Sequence, residues 1–449
     1  MGIFKAYDIR GTYPDQVDER IAFLVGYHYR ELLDEEDLAR GPMVVVSRDM
    51  RSHSVPLAEA LKLGLRASGV AVIDVGVADT PLNYFATGHL EASGGIQVTA
   101  SHNPAQYNGF KMSRRDAIPV SRDTGIAELE KLVTDSDVSA ELEPRAGETR
   151  QEVLDAYTEH VLSFLDAREP RLKLAADAAN GMGTLYLPIL ERLNLEIVPL
   201  YFELDGSFPN HEANPLKAEN LVDVERAVSE HGCDLGVAFD GDADRAMIVD
   251  ERGRAIGADM ITGLLAPRFL RAEAGASIVY DLRSSWATKE AIEEAGGVPI
   301  RERVGHSFIK ATMRSHGSPF GGELAGHFYY RANYTADSSI VTVIEVLNHL
   351  RENSRPLSEL VAPLKRYHAT GEINFRVEDK AAMIQRLTEE FRDGEVDFLD
   401  GVSVQYEDWW FNVRPSNTEP LLRMVLEART PELMEAKRKL LLSYLGTPE

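Results

Sequence analysis

Short apolar runs, each followed by a polar loop and an amphipathic stretch, recur along the chain in one layout. The first instance predicts a strand over 43–49, a helix near 54–68 and a strand over 70–75. The second predicts a strand over 172–177, a helix near 182–193 and a strand over 196–200, and the third a strand over 277–281, a helix near 285–295 and a strand over 298–300. Apolar strands bracketing helices of this length indicate βαβ units and parallel or mixed sheets. Each first strand ends in an aspartate and a polar turn (Asp49, Asp177, Asp281), the end of a strand where α/β folds usually place ligand chemistry. Three such units imply triplication at the scale of a domain. The C-terminal stretch differs, with strand-like runs at 372–377, 402–406, 409–413 and 421–427 and helices near 380–392 and 431–445, an α+β pattern. Polar stretches near 138–150, 250–257 and 363–370 read as linkers. The expected architecture is three related α/β domains with mixed sheets plus a C-terminal α+β domain around a central cleft, divided at 1–145, 146–252, 253–365 and 366–449.

Length agrees with several domains, since 449 residues exceed what one core supports. A formal net charge of −24 argues against nucleic acid or an anionic membrane as partner, because both select basic surface. It leaves open a phosphorylated small molecule, which a local cluster of arginine and lysine can hold against the global field. The single cysteine, Cys233, forms no intramolecular disulfide, and neither a signal region nor a membrane-length apolar run is evident. A cytoplasmic protein, monomeric or a small homo-oligomer, is expected.

Candidate chemistry concentrates in four loops. In Phe239-Asp240-Gly241-Asp242-Ala243-Asp244-Arg245, three carboxylates alternate with small residues at the end of an apolar strand. On an extended backbone they would face one way and repel unless a cation joined them, and hard oxygen ligands favour Mg²⁺ or Ca²⁺. An EF-hand is excluded, since Arg245 stands where that loop needs glycine and both flanks read as strands. Arg414-Pro415-Ser416-Asn417-Thr418 offers an arginine fork, hydroxyls and an amide on a turn, a set suited to a phosphate dianion. Gly321-Gly322-Glu323-Leu324-Ala325-Gly326-His327 presents a carboxylate suited to vicinal sugar hydroxyls, and an imidazole able to steady a phosphate or move a proton. The fourth loop is Thr99-Ala100-Ser101-His102-Asn103-Pro104, in which Ser101 lacks the surroundings of a hydrolase nucleophile and neighbouring His102 is poorly placed to take its proton. As a phosphoserine, Ser101 would instead complete the coordination of a metal held by Asp240, Asp242 and Asp244.

Together, in this order, these loops resemble the phosphohexomutase superfamily, most closely its bacterial phosphomannomutase/phosphoglucomutase group, and the resemblance spans the chain. It implies that Ser101 is the phosphoryl donor and acceptor and a metal ligand beside Asp240, Asp242 and Asp244. It implies that Arg245 and Lys111 stabilise charge near the transferring group, that Glu323 reads sugar hydroxyls, and that Arg414, Ser416, Asn417 and Thr418 hold the phosphate that is not reacting. His306, in Gly305-His306-Ser307, and His327 would line the cleft as contacts or proton carriers; Tyr7 and Arg10 match an N-terminal active-site segment, and Arg283 a basic phosphate contact. The implied reaction interconverts hexose 1-phosphate and hexose 6-phosphate, of mannose or glucose, with Mg²⁺ as cofactor and hexose 1,6-bisphosphate as intermediate and activator. Two positions bear on the sugar. Ala325 stands where the family usually has serine, and Asn417 is the residue of the hexose-specific group where phosphoglucosamine mutases usually have glycine. Phosphoglucosamine mutase and a metal-dependent sugar phosphatase remain the alternatives.

Overall fold

Residues 2–140, 142–416 and 421–449 are described in the structure, a computed structural model. Four sheets are present, and the first three share one strand order. In the first, strands run Tyr107–Arg114, Gly94–Val98, Met43–Arg48, Ala71–Val77. In the second the corresponding order is Ala246–Asp250, Leu235–Phe239, Leu172–Asp177, Leu195–Leu200, and in the third Phe328–Tyr330, Phe320–Gly322, Ser277–Asp281, Val298–Glu302. In each case the last three strands are mutually parallel and the first pairs antiparallel at the edge of that set. The repeat therefore includes a hairpin as well as the βαβ unit. The three hairpin loops, 99–106, 240–245 and 323–327, occupy one topological position three times over, and they carry Ser101, the aspartate triplet and Glu323 with His327.

All three stretches expected to be linkers contain edge strands: Glu148–Arg150 extends the first sheet beside Ala71–Val77, Ala255–Ile256 the second beside Ala246–Asp250, and His368–Ala369 the fourth beside Leu422–Ala428. The helix expected near 182–193 is instead a 3₁₀ segment, Met182–Tyr186, followed by a short α-helix, Leu187–Glu191. Gly181 and Gly183 weaken helical propensity there, and Pro188 is tolerated only in the first turn of a new helix. In the first unit the helices Glu19–Tyr29 and Ser54–Ala67 cross at two glycines. A Cβ on Gly26 would lie 2.2 Å from the Leu61 carbonyl oxygen, and one on Gly64 would lie 2.0 Å from that of Phe23.

One hydrophobic core runs from Val45 and Phe85 through Leu174, Phe239 and Ile278 to Leu364, fusing the first three units. The fourth unit, a six-stranded sheet backed by Lys380–Glu390 and Pro431–Leu445, has a core of its own built on Phe375, Trp409, Phe411 and Leu441. Its junction with the third unit includes polar contacts: the Trp286 amide donates to Glu427 at 2.9 Å, the Trp286 indole to Gln405 at 3.2 Å, and Arg301 pairs with Asp397. A separate core joined through polar contacts is what a rigid body that swings as a unit needs. Among the described residues no helix is long and apolar enough to cross a membrane.

Candidate active site

Ser101 is fully buried and holds φ at +52°, a left-handed conformation that costs a non-glycine residue about 1–3 kcal/mol. Asp49, at the end of the neighbouring strand, sustains it: Thr99 donates its hydroxyl to Asp49 at 2.8 Å, and the Ser101 amide donates to the Thr99 hydroxyl at 3.0 Å. Arg51 clamps the loop from behind. Its guanidinium pairs with Asp49 and donates to the carbonyls of Ser101, Asn103, Pro104 and Tyr107 at 2.6–3.1 Å. The Ser101 hydroxyl so presented lies 3.1 Å from Asp240 Oδ2 and 3.2 Å from His102 Nδ1. The structure thus corrects the reading of His102, which does reach the hydroxyl. Burial, with Arg245, Arg10 and Lys111 nearby, keeps this imidazole neutral.

The aspartates converge by a route other than the one expected. The loop 240–245 is a turn, with Ala243 at φ +58°, so wrapping of the backbone rather than strand alternation brings one oxygen of each of Asp240, Asp242 and Asp244 within 4.8 Å of the others. Lys111, reaching across from the first unit, donates to Asp242 at 2.6 Å and pairs with Asp244. Arg245 Nε lies 3.6 Å from Asp240 and 3.9 Å from Asp244. Burial, reinforced by its two neighbouring carboxylates, raises the Asp240 pKa far above the usual range. Burial also opposes ionisation of Asp244, but Lys111, His327 and Arg245 outweigh it and hold that group well below the range. Among the described residues Asp242 Oδ1 is buried with no hydrogen-bond partner, while Asp244 Oδ1 faces His327 Nε2 at 3.3 Å and Arg245 Nε at 3.9 Å. Buried carboxylates gathered beside a hydroxyl, one with an oxygen that lacks a donor, fit a hard divalent cation.

His327 sits between this cluster and the third loop, with Nδ1 3.1 Å from Glu323 Oε2, Nε2 3.3 Å from Asp244 Oδ1, and Arg245 Nε at 3.2 Å. Burial and Arg245 resist charge on the ring, but Asp244 and Glu323 outweigh them and raise its pKa to about 9. Glu323 also accepts from Tyr329 at 2.8 Å and from Arg283 at 3.3 Å, and these donors with His327 overcome its burial to keep it ionised. His306 opens the helix His306–His316, its ring centroid 6.2 Å from that of His327 and 5.3 Å from that of Tyr7. Burial, with Lys310 and His327 close, leaves His306 neutral, and among the described residues its Nδ1 has no hydrogen-bond partner. Tyr7 donates to the Val304 carbonyl at 2.7 Å, and Arg10 donates to Asn103 of the serine loop at 2.6 Å. A cleft of about 300 Å³ opens beside Tyr7 between the first, third and fourth units, with Arg122, Arg303 and Asp400 on its walls.

Arg414 reaches this assembly through a residue that sequence reasoning missed. Glu372 accepts from Arg414 at 2.8 Å and from Arg283 at 3.1 Å and pairs with Arg423 at 3.2 Å; against its burial, these three cations lower its pKa to about 2. Glu372 thus gathers three guanidinium forks, the groups suited to a phosphate, and of these Arg283 is also held by Asp281 at 2.7 Å and by Glu323. Ser416 follows Arg414 at the end of the strand Trp409–Pro415, whereas Asn417 and Thr418 lie outside the described residues. Arg51 was also missed, although Asp49-Met50-Arg51 repeats the pattern Asp281-Leu282-Arg283 at the same point of the layout.

Four domain descriptions of one family match consecutive stretches of the chain: phosphoglucomutase/phosphomannomutase alpha/beta/alpha domains I, II and III over 1–139, 155–253 and 257–367, and the C-terminal domain over 372–439. The chain belongs to this family. A Xanthomonas campestris protein described as phosphohexose mutases is 43% identical over 431 residues, 95% of each chain. A phosphomannomutase of Salmonella typhimurium is 40% identical, covering 99% of this chain and 98% of its own. The crystal structure of a phosphoglucomutase/phosphomannomutase family protein from Burkholderia thailandensis superposes with a TM-score of 0.89 at 34% identity, covering 100% of this chain and 98% of its own.

Within this family member the aspartate loop and the serine loop touch through a glycine. A Cβ on Gly241 would lie 2.4 Å from the Ser101 carbonyl oxygen, a backbone atom with little freedom to move. Gly241→Ala is therefore expected to push the serine from the aspartates and lower kcat about 100-fold, the order expected for a 1 Å misplacement. Steady-state kinetics beside a thermal melt test this; near-normal kcat in a folded variant would contradict it.

Proposed function

We propose that the enzyme interconverts hexose 1-phosphate and hexose 6-phosphate, of mannose or glucose or both, through a phosphorylated Ser101 and a hexose 1,6-bisphosphate intermediate. The observation that carries this reading is the placement of a strained, buried serine hydroxyl 3.1 Å from Asp240, in a cluster that also holds Asp242, Asp244, Lys111, Arg245 and His327. Held by Asp240, Asp242, Asp244 and an oxygen on Ser101, Mg²⁺ would supply positive charge beside the transferring phosphoryl oxygens.

The chain's own residues do the rest. Arg414 and Arg283, with Ser416, Asn417 and Thr418, hold the phosphate already on the sugar, while Glu323 reads ring hydroxyls. Tyr7 and Arg10 close the wall on the side of the serine loop. A free hydroxyl of the sugar then attacks the phosphorus of phospho-Ser101; a P–O bond to the sugar forms as the bond to Oγ breaks. The hydroxyl proton passes to the imidazole pair, in which His306 is neutral and His327 protonated, so that an acceptor and a donor stand side by side. Lys111 and Arg245 offset the charge on the transferring group. The bisphosphate turns end for end, Oγ takes back the other phosphoryl group, and the proton returns to the sugar oxygen. A phosphate site built of guanidiniums suits this turn, because it recognises phosphate and not a ring position. Swinging of the fourth unit over the cleft would exclude water, against which phosphoserine must be protected.

Ala325 brings no hydroxyl to the sugar loop, so recognition there falls on Glu323, which accommodates more than one hexose. A coupled assay with Mg²⁺ and a trace of hexose 1,6-bisphosphate, run on mannose, glucose and glucosamine 1-phosphates with free phosphate monitored, tests the proposal. Hexose 6-phosphate without phosphate release is expected. Turnover of glucosamine 1-phosphate alone, or phosphate release without isomerisation, would overturn it.

A further inference from the structure

Asp242 is held by the first unit as well as by its own loop. Thr80 opens the helix Thr80–His89, and its hydroxyl donates to Asp242 Oδ2 at 2.5 Å while its amide donates to the Asp242 carbonyl at 3.1 Å. Lys111 donates to the same Oδ2 at 2.6 Å. One carboxylate oxygen is thereby committed to two donors of the serine-bearing unit, and the other, Oδ1, stays buried without a partner among the described residues. Thr80 and Asp242 are both fully buried, so water does not replace the hydroxyl. The backbone on both sides is fixed: Asp79 caps the helix by accepting from the Leu82 amide, and the Gly241 carbonyl accepts from Met182 at 2.9 Å.

We propose that Thr80 is a positioning residue for the divalent cation, orienting the Asp242 carboxylate so that Oδ1 faces the ion. It thereby couples the unit that carries the phosphoryl group to the unit that carries the metal. This rests on the cation reading given above for Asp240, Asp242 and Asp244. Lys111 alone does not set the orientation, since its ammonium is shared with Asp244 and sits on a flexible stem. The Thr80 hydroxyl is fixed to a helix end whose amide already binds the same residue. Removing a buried partner that orients a ligating carboxylate commonly costs 10–100-fold in metal affinity.

The test is Mn²⁺ binding by the full-length enzyme without substrate, read from the electron paramagnetic resonance of free Mn²⁺. It compares the wild type with Thr80→Val, Thr80→Ala and Thr80→Ser, with a thermal melt of each. The inference expects Mn²⁺ affinity about 10–100-fold weaker in the Val and Ala variants, close to wild type in the Ser variant, and a sugar-phosphate KM unchanged at saturating Mg²⁺. Unchanged Mn²⁺ affinity in whichever of the Val and Ala variants folds would overturn it. So would a Ser variant as weak as the others, or a loss of binding that only tracks the fraction unfolded. A wild type that binds no Mn²⁺ would instead remove the cation reading itself, and this inference with it.

Discussion

Ser101→Ala is expected to lower kcat by roughly 10⁴- to 10⁶-fold, the range in which loss of a nucleophile falls when the site acts as a unit. The melting temperature should hardly move, or should rise slightly. The removed oxygen makes one contact to Asp240 and one to His102, and alanine neither reaches into a neighbour nor leaves a large void. The left-handed φ persists because Arg51 and Asp49 hold the loop from outside the serine side chain. Steady-state kinetics and a melt on one preparation separate this result from simple misfolding. Turnover within tenfold of wild type would mean that the phosphoryl group travels by another route.

Arg51→Met is the change with the largest expected cost to stability. Arg51 and Asp49 form a fully buried ion pair, and the guanidinium also satisfies four carbonyls of the serine loop. Breaking a buried pair by removing one partner costs about 3–5 kcal/mol, because the remaining charge is left uncompensated. Methionine fills part of the volume but donates nothing, so the carbonyls of Ser101 and Asn103 lose their anchor as well. The first thermal transition should fall, hydrogen exchange over residues 101–107 should quicken, and kcat should drop although Arg51 touches no substrate. Arg51→Lys should rescue little, since one ammonium does not span the positions that the planar fork reaches. Wild-type exchange in the loop of the Met variant would refute the clamp.

The sequence made parts of this legible because of period and punctuation. Apolar strands ending in Asp49, Asp177 and Asp281 expose the threefold repeat, since a strand buried on both faces reads as a continuous apolar run whatever its partners. The hairpin completing each repeat was harder to see. Its loops, 99–106, 240–245 and 323–327, differ in length, and Phe320–Gly322 and Phe328–Tyr330 are too short for alternation to register. For the site, the convergence of the aspartate triplet was readable, but strand alternation is not its cause; Ala243 turns the chain instead. Long-range side-chain contacts were harder to read. Thr80 and Glu372 lie in ordinary-looking stretches and acquire meaning only where tertiary packing sets them against Asp242 and Arg414, and for Arg51 the repeated Asp-x-Arg pattern gives no hint of its target, the serine loop.

The central claim is that Ser101 carries the phosphoryl group between two positions of one sugar. Incubating the wild type and Ser101→Ala with hexose 1,6-bisphosphate and Mg²⁺, then mapping phosphorylation by peptide mass spectrometry, tests it most directly. The account predicts a single phosphoryl group on the wild-type peptide spanning Ser101, lost again on adding excess hexose 1-phosphate, and none on the variant. Phosphorylation at another residue, or a Ser101 that stays unmodified while the enzyme turns over, would contradict it.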